Sequence, residues 1–360
     1  MTNHLQIAHL DNSLLAKNRE SEQVASDQHE RDNMLTIKKL ALLALSSVFG
    51  LAQFITVQAQ DFPKQPIKLV VPWAPGGNVD ITARAVAPGM SEILGQQVIV
   101  ENKPGAGGFI GTTGVVRSTP DGYTLMLGSS GSISVGPALA RTPPYDPTKD
   151  LAAIGPIHSV PMVMSASAKG DIKNFDDFKK KALNPKNQIS IGSAGNGSSQ
   201  HLALELIALR MGIKLNHIPY KGSGPALNDV VGGQIDMMMD QITASISHIK
   251  NGTIIPIAQT GKTRSPLLPN VPTLGELGLK DFDMVTYTGI FGPVGIPQPV
   301  MGKLTDALKQ TLARPDVKQR FSDLGVDIIT VDRATFQQDV NKDFANSQAI
   351  GKAANIVINE

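Results

Sequence analysis

The chain has 360 residues, of which 41% are hydrophobic and 18% are charged, and its formal net charge at pH 7 is +2. This composition is that of a globular protein, and the length suits one large domain or two lobes. It argues against a nucleic-acid-binding protein, because the sequence has no basic run and few aromatic residues. Cysteine is absent, which excludes disulfides and an anchor made by lipid modification of a cysteine.

The first 59 residues predict an export signal behind a polar leader. From Met34 the sequence reads MLTIKKLALLALSSVFGLAQFITVQA, with two lysines before an apolar stretch and small residues up to Ala59. This three-part pattern is typical of a secretory signal peptide over 34–59, cleaved after Ala59. The alternative is a membrane anchor, but polar residues dilute the apolar stretch and no positive flank follows it. Residues 1–33 are too polar to form a core, so we predict that they are a disordered leader or that the translation start is misassigned and lies at Met34.

Two runs of strands alternating with helices follow the predicted signal. The first run starts near residue 66 with the strand IKLVVPWA, the loop PGGN and the helix VDITARAVAPGMSEILG. The second starts near residue 188 with the strand QISIGSAG, the loop NGSS and the helix QHLALELIALRMG. This alternation predicts parallel strands joined by crossover helices. The Pro-rich stretch over 265–278, SPLLPNVPTLGELG, is predicted to be a surface connection.

Two extended, Pro- and Gly-marked segments lie between the runs, near 155–168 and 283–292. We interpret them as two crossings between two α/β lobes, which returns the last part of the chain to the first lobe. The predicted organisation is 60–162 plus 287–360 for lobe 1 and 163–286 for lobe 2.

Five loops rich in glycine and serine follow the predicted strands. In open parallel sheets, ligands bind outside the carboxyl ends of the strands, where the helices begin. Glycine lets backbone N–H groups approach a ligand, and a helix N-terminus favours an anion. We therefore predict that these loops hold a carboxylate or phosphate on main-chain groups, with ordinary turns as the alternative for any single loop. The loops are 75–78, 105–108, 128–132, 193–199 and 221–224.

A few side chains near these loops are candidates for a role in binding. Asp80 lies in the first turn after the Gly-Gly pair, where an acid complements the helix dipole and can orient loop N–H groups. Asp240 ends a strand and is predicted to point into the cleft, whereas the methionines at 237–239 are interpreted as core. His201, in the first turn after the loop GNGSS, is kept as a candidate ligand contact.

Enzyme motifs are incomplete throughout the chain. The stretch GAGGFIG over 105–111 is a weak variant of the dinucleotide fingerprint, and no acidic residue ends the next strand. The stretch GSSGS lacks the spacing of a nucleophile elbow, and there is no Walker loop. No HExxH pair and no cysteine points to a metal. We therefore predict no catalytic residues, no metal and no cofactor, with an exported hydrolase or isomerase as the alternative.

Seven blocks occur in order from about residue 61 to the C-terminus: VVPWAPGGNVDITAR, VIVENKPGAGGFIGT, PDGYTLMLGSSG, YDPTKDLAAIG, SAGNGSSQHLALEL, HIPYKGSGPALNDVVGGQIDMMMDQ and SPLLPNVPTLGELG. They resemble the solute receptors of tripartite tricarboxylate transporters, known as the Bug family. The resemblance implies a type II periplasmic-binding-protein fold, with two α/β lobes whose central sheets are joined by two crossing strands. It further implies a periplasmic binding receptor rather than an enzyme.

The resemblance also implies how the ligand is bound. Main-chain groups and ordered waters from the loops of both lobes would hold one carboxylate of a di- or tricarboxylate, an acidic amino acid or an aromatic acid. The implied partners are the membrane subunits of the transporter, and a monomer is expected; a sensor subunit for a membrane regulator is a further alternative. The implied ligand-binding residues are Trp73, Ala74, Gly76, Gly77, Asp80, Ser129 and Ser130 in the first lobe and Ser193, Asn196, Gly197, Ser198, His201, Tyr220 and Asp240 in the second.

Three departures from the family pattern affect the expected pocket walls. Trp73 stands where relatives often have phenylalanine, Val-Gly-Pro at 135–137 stands where they often have Asn-Pro, and Met239 replaces another phenylalanine. We expect these changes to alter which ligand is bound rather than the requirement for a carboxylate.

Overall fold

The computed structural model describes residues 62–184 and 186–358. The predicted leader (1–33) and the predicted signal peptide (34–59) lie outside these described residues. Within the described part of the chain, no helix has both the length and the apolar character needed to cross a membrane.

The first run of strands and helices forms as the sequence pattern predicts. The helix that follows the loop PGGN is capped by Gly95, whose φ of 67° is a left-handed conformation that glycine adopts without steric cost. The strands are β1 (Ile67–Val71), β2 (Val98–Asn102) and β3 (Thr124–Ser129), and the helices are α1 (Asn78–Leu94) and α2 (Phe109–Val116). After β3 come a π-helix (Gly131–Val135), α3 (Gly136–Leu139) and α4 (Pro147–Asp150).

The second run also follows the predicted alternation, and its first long helix stops at Gly212 as the sequence indicates. Its elements are β4 (Leu151–Ser167), α5 (Phe175–Ala182), β5 (Ser190–Ser193), α6 (Ser199–Met211), β6 (Asn216–Pro219), α7 (Ser223–Gly232), β7 (Met237–Gln241), α8 (Ile242–Lys250) and β8 (Ile254–Gln259). The C-terminal part contains β9 (Val285–Pro293), α9 (Gln298–Ala313), α10 (Pro315–Asp323), β10 (Asp327–Ile328) and α11 (Arg333–Ala354).

Two long antiparallel strands join two groups of parallel strands. The strand order is β2-β1-β3-β9-β4-β7-β5-β6, with β8 and β10 paired to β4. β1 pairs in parallel with β2 and β3, and β5 pairs in parallel with β6 and β7. β4 and β9 run antiparallel to each other and lie between these groups. They coincide with the two segments predicted as crossings, and we call the parts built on β1–β3 and on β5–β7 the first and second lobes.

Each parallel group has its own hydrophobic core. The first core contains Met126 and Phe336, so α11 packs against the first lobe. The second contains Phe178 and Met239, and all three methionines at 237–239 are fully buried. The predicted lobe boundaries at 162/163 and 286/287 fall inside β4 and β9, and they remain predictions.

The Pro-rich stretch 265–278 is more than the surface connection that the sequence predicts. Leu268 and Val271 are buried, and the fully buried side chain of Gln259 holds the segment. Gln259 Nε2 donates to the carbonyl oxygens of Leu268 (3.0 Å) and Val271 (2.7 Å). Its Oε1 accepts from the N–H of Ser265 at 2.9 Å. One glutamine thus bonds three backbone groups of an irregular segment.

Candidate functional site

A small cavity lies where the segments after β1, β3, β5, β6 and β7 meet. Its volume is about 20 Å³, which is room for about one water molecule. A larger ligand therefore enters only when the lobes move apart or the lining side chains shift. The residues that line it are Trp73, Gly77, Asn78, Val79, Ser129, Gly131, Ala194, Gln200, Ser223 and Gln241.

Two larger depressions lie away from these loops. One, of about 420 Å³, lies beside α9 and β10, and another, of about 450 Å³, lies beside residues 261–267. None of the predicted site residues lines either of them. A further depression, of about 450 Å³, lies beside residues 74–76 and Gly224 and includes the predicted site residues Ala74 and Gly76. The smaller cavity is the candidate site because it gathers the carboxyl ends of strands from both lobes, where α/β folds bind ligands.

Two helices begin at the cavity without a side-chain cap. The N-cap residues of α1 and α7 are Gly77 and Gly222, and neither cap makes a side-chain hydrogen bond. The first-turn N–H groups of both helices therefore lack the partner that a serine or aspartate cap supplies. The N-terminal end of a helix carries a partial positive charge, which favours an anion. Both helices thus offer main-chain donors to a negatively charged ligand.

Asp80, in the first turn of α1, fixes the loop before the helix. Its carboxylate accepts hydrogen bonds from the N–H of Gly76 (3.0 Å) and the amide of Asn102 (3.0 Å), and it pairs with Arg84 at 3.0 Å. Burial raises the pKa of Asp80, but these bonds outweigh burial and hold the pKa below its usual value of 3.8. Gly76 has a φ of 86°, which favours glycine. Asp80 is not among the lining residues, so its charge orders the loop.

The other predicted residues of the first lobe either contact the second lobe or line the cavity. Ala74 and Ser130 contact the second lobe: the N–H of Ala74 donates to the carbonyl oxygen of Lys221 at 3.0 Å. Ser130 Oγ lies 3.1 Å from Ser199 Oγ. The remaining residues lie on the cavity wall; they are Trp73, Gly77 and Ser129.

The predicted loop of the second lobe, residues 193–199, contributes Ala194 to the cavity wall, and its other residues support that wall. Ser193 Oγ accepts from the N–H of Gly195 at 3.0 Å. Ser198 Oγ donates to the carbonyl oxygen of Gly195 at 2.7 Å and also caps α6 by accepting from a first-turn N–H. These bonds fix the backbone on both sides of the lining residue Ala194 and just before the lining residue Gln200.

His201 faces another histidine rather than the cavity. Its ring stacks on that of His217, with 4.4 Å between centroids, and its Nε2 lies 3.5 Å from Glu205. Its Nδ1 accepts from the N–H of Gly197 at 3.3 Å, and Asn196 lies half-buried beside that glycine. Burial, together with the charge of His201, lowers the pKa of His217 to about 4, so His217 is neutral near pH 7.

Tyr220 and Asp240 are bonded inside the second lobe. The Tyr220 hydroxyl donates to Asp229 at 2.6 Å, and burial and this carboxylate raise the pKa of Tyr220. Asp240 is fully buried; its Oδ1 accepts from Ser223 Oγ (2.6 Å) and from the N–H of Gln241 (2.8 Å). Burial raises the pKa of Asp240 to about 6. Instead of pointing into the cleft, Asp240 reaches the cavity only through the lining residues Ser223 and Gln241.

The glycine loops also let the two lobes touch. Residues 74–77 face residues 221–224, and we call this contact the glycine seam. A Cβ on Gly224 would overlap the carbonyl oxygen of Pro75, and one on Gly222 would lie 2.7 Å from a backbone nitrogen of the facing loop. The glycines that the sequence predicts as open backbone for a ligand therefore also serve the approach of one lobe to the other.

Reasoning from sequence missed several lining residues. Six of them lie inside a predicted loop or directly after one, and Gln241 directly follows the predicted strand QIDMMMD, so adjacency to a strand end was the available signal. Among the residues that the structure describes, no group of three or more histidine, aspartate or glutamate side chains is placed to hold a metal ion. The missed residues are Asn78, Val79, Gly131, Ala194, Gln200, Ser223 and Gln241.

Two α/β lobes, two connecting antiparallel strands and a donor-lined cavity between the lobes define a two-lobed periplasmic-binding-protein fold. The family model described as "Tripartite tricarboxylate transporter family receptor" matches residues 82–356, and the chain belongs to this family. Receptors of this family are periplasmic solute-binding proteins. The predicted family and fold class are thereby confirmed.

Individual relatives agree with this assignment over most of the chain. A UPF0065 protein in the TAR-I ttuE-ttuC' intergenic region of Agrobacterium vitis is 39% identical over 279 residues, covering 77% of this chain and 80% of the relative. The structure of the periplasmic binding protein BugD has 36% identity and a TM-score of 0.79, covering 82% of this chain and 99% of BugD. MatC from Rhodopseudomonas palustris with bound malate has 30% identity and a TM-score of 0.77, covering 80% of this chain and 99% of MatC.

Proposed function

We propose that this protein captures a small organic carboxylate between its two lobes for a tripartite tricarboxylate transporter. The observation that carries the proposal is the cavity itself: two uncapped helix N-termini open on it, and none of its lining residues has a formal charge. An anion there is held by main-chain and neutral donors. Each hydrogen bond to an ionised group contributes about 1.5–3 kcal/mol, so three or four support a binding free energy of about −8 kcal/mol, or micromolar affinity.

The ligand class follows from these donors and is supported by one relative. MatC was solved with bound malate, which is a small dicarboxylate. Di- and tricarboxylates, acidic amino acids and aromatic acids all bring a carboxylate that suits the helix N-termini. Family membership also supports binding without chemical turnover, and we propose no catalytic role for the lining residues.

Closure of the lobes is the proposed signal. β4 and β9 connect the lobes that we place at 60–162 plus 287–360 and at 163–286, and bending of these strands would separate them. A ligand bound by donors from both lobes favours their closed arrangement, because only there are all its contacts made. The membrane subunits would then recognise the closed receptor, a monomer whose mature chain begins after Ala59.

Titration of the protein with small acids tests this function. We expect saturable, micromolar binding of one class of carboxylates in calorimetry, accompanied by a change in emission of Trp73, the single tryptophan. The matching diamide should bind at least about tenfold weaker, because hydrogen bonds to an uncharged acceptor are weaker. Equal binding of acid and diamide, or preference for a neutral or cationic solute, would contradict the proposal, and so would conversion of the ligand on prolonged incubation.

A further inference from the structure

Two buried hydrogen-bond donors on the cavity wall have no partner. The indole Nε1 of Trp73 and the amide Nδ2 of Asn78 are both buried and unbonded, and both residues line the cavity. Trp73 is 5% exposed and Asn78 is 2% exposed, so bulk water does not serve these groups. A buried N–H that lacks an acceptor loses its hydration without compensation, and such groups in native proteins require an explanation.

The amide of Asn78 is oriented from the second lobe. Thr243, near the start of α8, donates from Oγ1 to Asn78 Oδ1 at 2.6 Å. This bond occupies the oxygen of the amide and leaves its NH₂ group as the end available to the cavity. Asn78 is also the first residue of α1, so its side-chain donor stands next to the main-chain donors of the helix N-terminus.

Trp73 is fixed both at its backbone and at its ring. Asn102 Nδ2 donates to the carbonyl oxygen of Trp73 at 3.0 Å, which fixes the backbone. The six-membered ring packs on Gly108, where a Cβ would lie 3.1 Å from Trp73 Cζ2. The indole nitrogen donates one hydrogen bond and accepts none. Trp73 therefore presents a fixed donor that only an acceptor can satisfy.

The polar side chains on the opposite wall satisfy one another. Gln200 Nε2 donates to Gln241 Oε1 at 2.8 Å and approaches Ser223 Oγ at 3.4 Å. Ser223 Oγ in turn donates to Asp240 at 2.6 Å. These groups of the second lobe are bonded without a ligand, in contrast to the two donors of the first lobe.

We propose that Trp73 Nε1 and Asn78 Nδ2 form a donor pair that binds a second acceptor group of the ligand, an inference that rests on the proposed function. The selected class is then a carboxylate that carries a further carboxylate, hydroxyl or carbonyl oxygen, that is, a dicarboxylate or a hydroxy or oxo acid. An ammonium group at this place would face two N–H groups and find no acceptor. An amino acid whose ammonium group takes the place of the second acceptor, such as 4-aminobutyrate, is therefore selected against, and simple monocarboxylates lack the second acceptor.

Four-carbon probes of similar size test the donor pair in the full-length protein. Calorimetry with malate, succinate, butyrate and 4-aminobutyrate should show that wild type binds malate and succinate at least tenfold tighter than butyrate and 4-aminobutyrate. Trp73→Phe removes the N–H and keeps an aromatic ring; it should weaken malate and succinate five- to tenfold more than it weakens butyrate. Tyr123→Phe is the control: Tyr123 directly precedes β3, and its hydroxyl accepts a hydrogen bond from the N–H of Lys64. Removing this hydroxyl should change none of the affinities.

Asn78→Asp gives an independent test, because it replaces the donor by an acceptor of the same shape and keeps the acceptor of the Thr243 bond. The variant should lower the preference for succinate over 4-aminobutyrate at least tenfold. Equal weakening of all four probes by Trp73→Phe, or tighter binding of 4-aminobutyrate than of succinate by wild type, would overturn the donor pair while carboxylate binding stands. Absence of binding for every carboxylate would overturn the proposed function, and this inference with it.

Discussion

Replacing Gly224 by alanine is expected to weaken ligand binding about ten- to a hundredfold without lowering the stability of the unliganded protein. The added Cβ would overlap the carbonyl oxygen of Pro75 across the glycine seam. Overpacking of this kind costs about 1–3 kcal/mol, and each 1.4 kcal/mol is about a tenfold change in affinity. This cost arises only when the lobes meet. When the lobes are apart, alanine stabilises the helix more than glycine does. Calorimetric titration measures the affinity, and thermal unfolding without ligand measures the stability.

Gly114→Ala is the matched control for this prediction. Gly114 also lies in a helix, α2, and a Cβ there would meet no other atom within 4 Å. This variant should therefore bind like wild type. Wild-type affinity in Gly224→Ala would show that the lobes need not meet at the seam to hold the ligand. A lower melting temperature of unliganded Gly224→Ala would show that the contact already supports the unliganded protein.

The sequence predicts the positions of the site loops because these depend on local patterns. An apolar run of strand length, a Pro-Gly-Gly turn and a helical apolar period follow each other at 67–94, and the structure has β1, the loop and α1 there. The same reasoning predicts a loop at 221–224; the structure has a turn there after β6, and α7 already begins at Ser223. Each of these features requires only the order of neighbouring residues.

The sequence does not predict which glycines meet a ligand and which meet the other lobe. Gly224 and Pro75 are about 150 residues apart, and their contact depends on how the two lobes meet. The donor role of Asn78 has the same origin, because its amide is oriented by Thr243 from the other lobe. Asp240 is the last residue but one of β7, and its partners on α7 and α8 turn its carboxylate into the lobe. Contacts between residues this far apart along the chain leave no recognisable pattern in a single sequence.

Replacing Asp240 by asparagine is expected to raise the free energy of unfolding at about pH 7.5 by about 2–3 kcal/mol. Burial raises the pKa of Asp240 from 3.8 to about 6. A carboxyl whose pKa is higher in the folded state contributes stability that is fully present below about pH 4 and is lost as the pH rises through about 6. At higher pH the shift corresponds to about 3 kcal/mol of lost stability. Asparagine stays neutral throughout, so denaturant unfolding at several pH values measures the difference.

The hydrogen bonds around Asp240 suit an amide as well as a carboxyl group. An asparagine oxygen can keep the bonds from Ser223 and from the N–H of Gln241. The other carboxyl oxygen lies 3.5 Å from the Ser245 hydroxyl, which can accept from an amide NH₂. The advantage of Asp240→Asn should therefore come from the missing charge alone, and it should shrink toward zero as the pH falls to about 4.

Asp236→Asn is a control of opposite sign, directly before the same strand. Burial raises the pKa of Asp236, but hydrogen bonds from Ser190 and Lys181 outweigh it and hold the pKa below 3.8. The contribution of Asp236 is present at neutral pH and is lost as the pH falls through its folded-state pKa. Its replacement should therefore destabilise the protein at about pH 7.5, with a loss that fades in acid. If Asp240→Asn also destabilises at neutral pH, the ionised carboxylate of Asp240 is not a cost to the fold, and its burial is compensated by the bonds from α7 and α8.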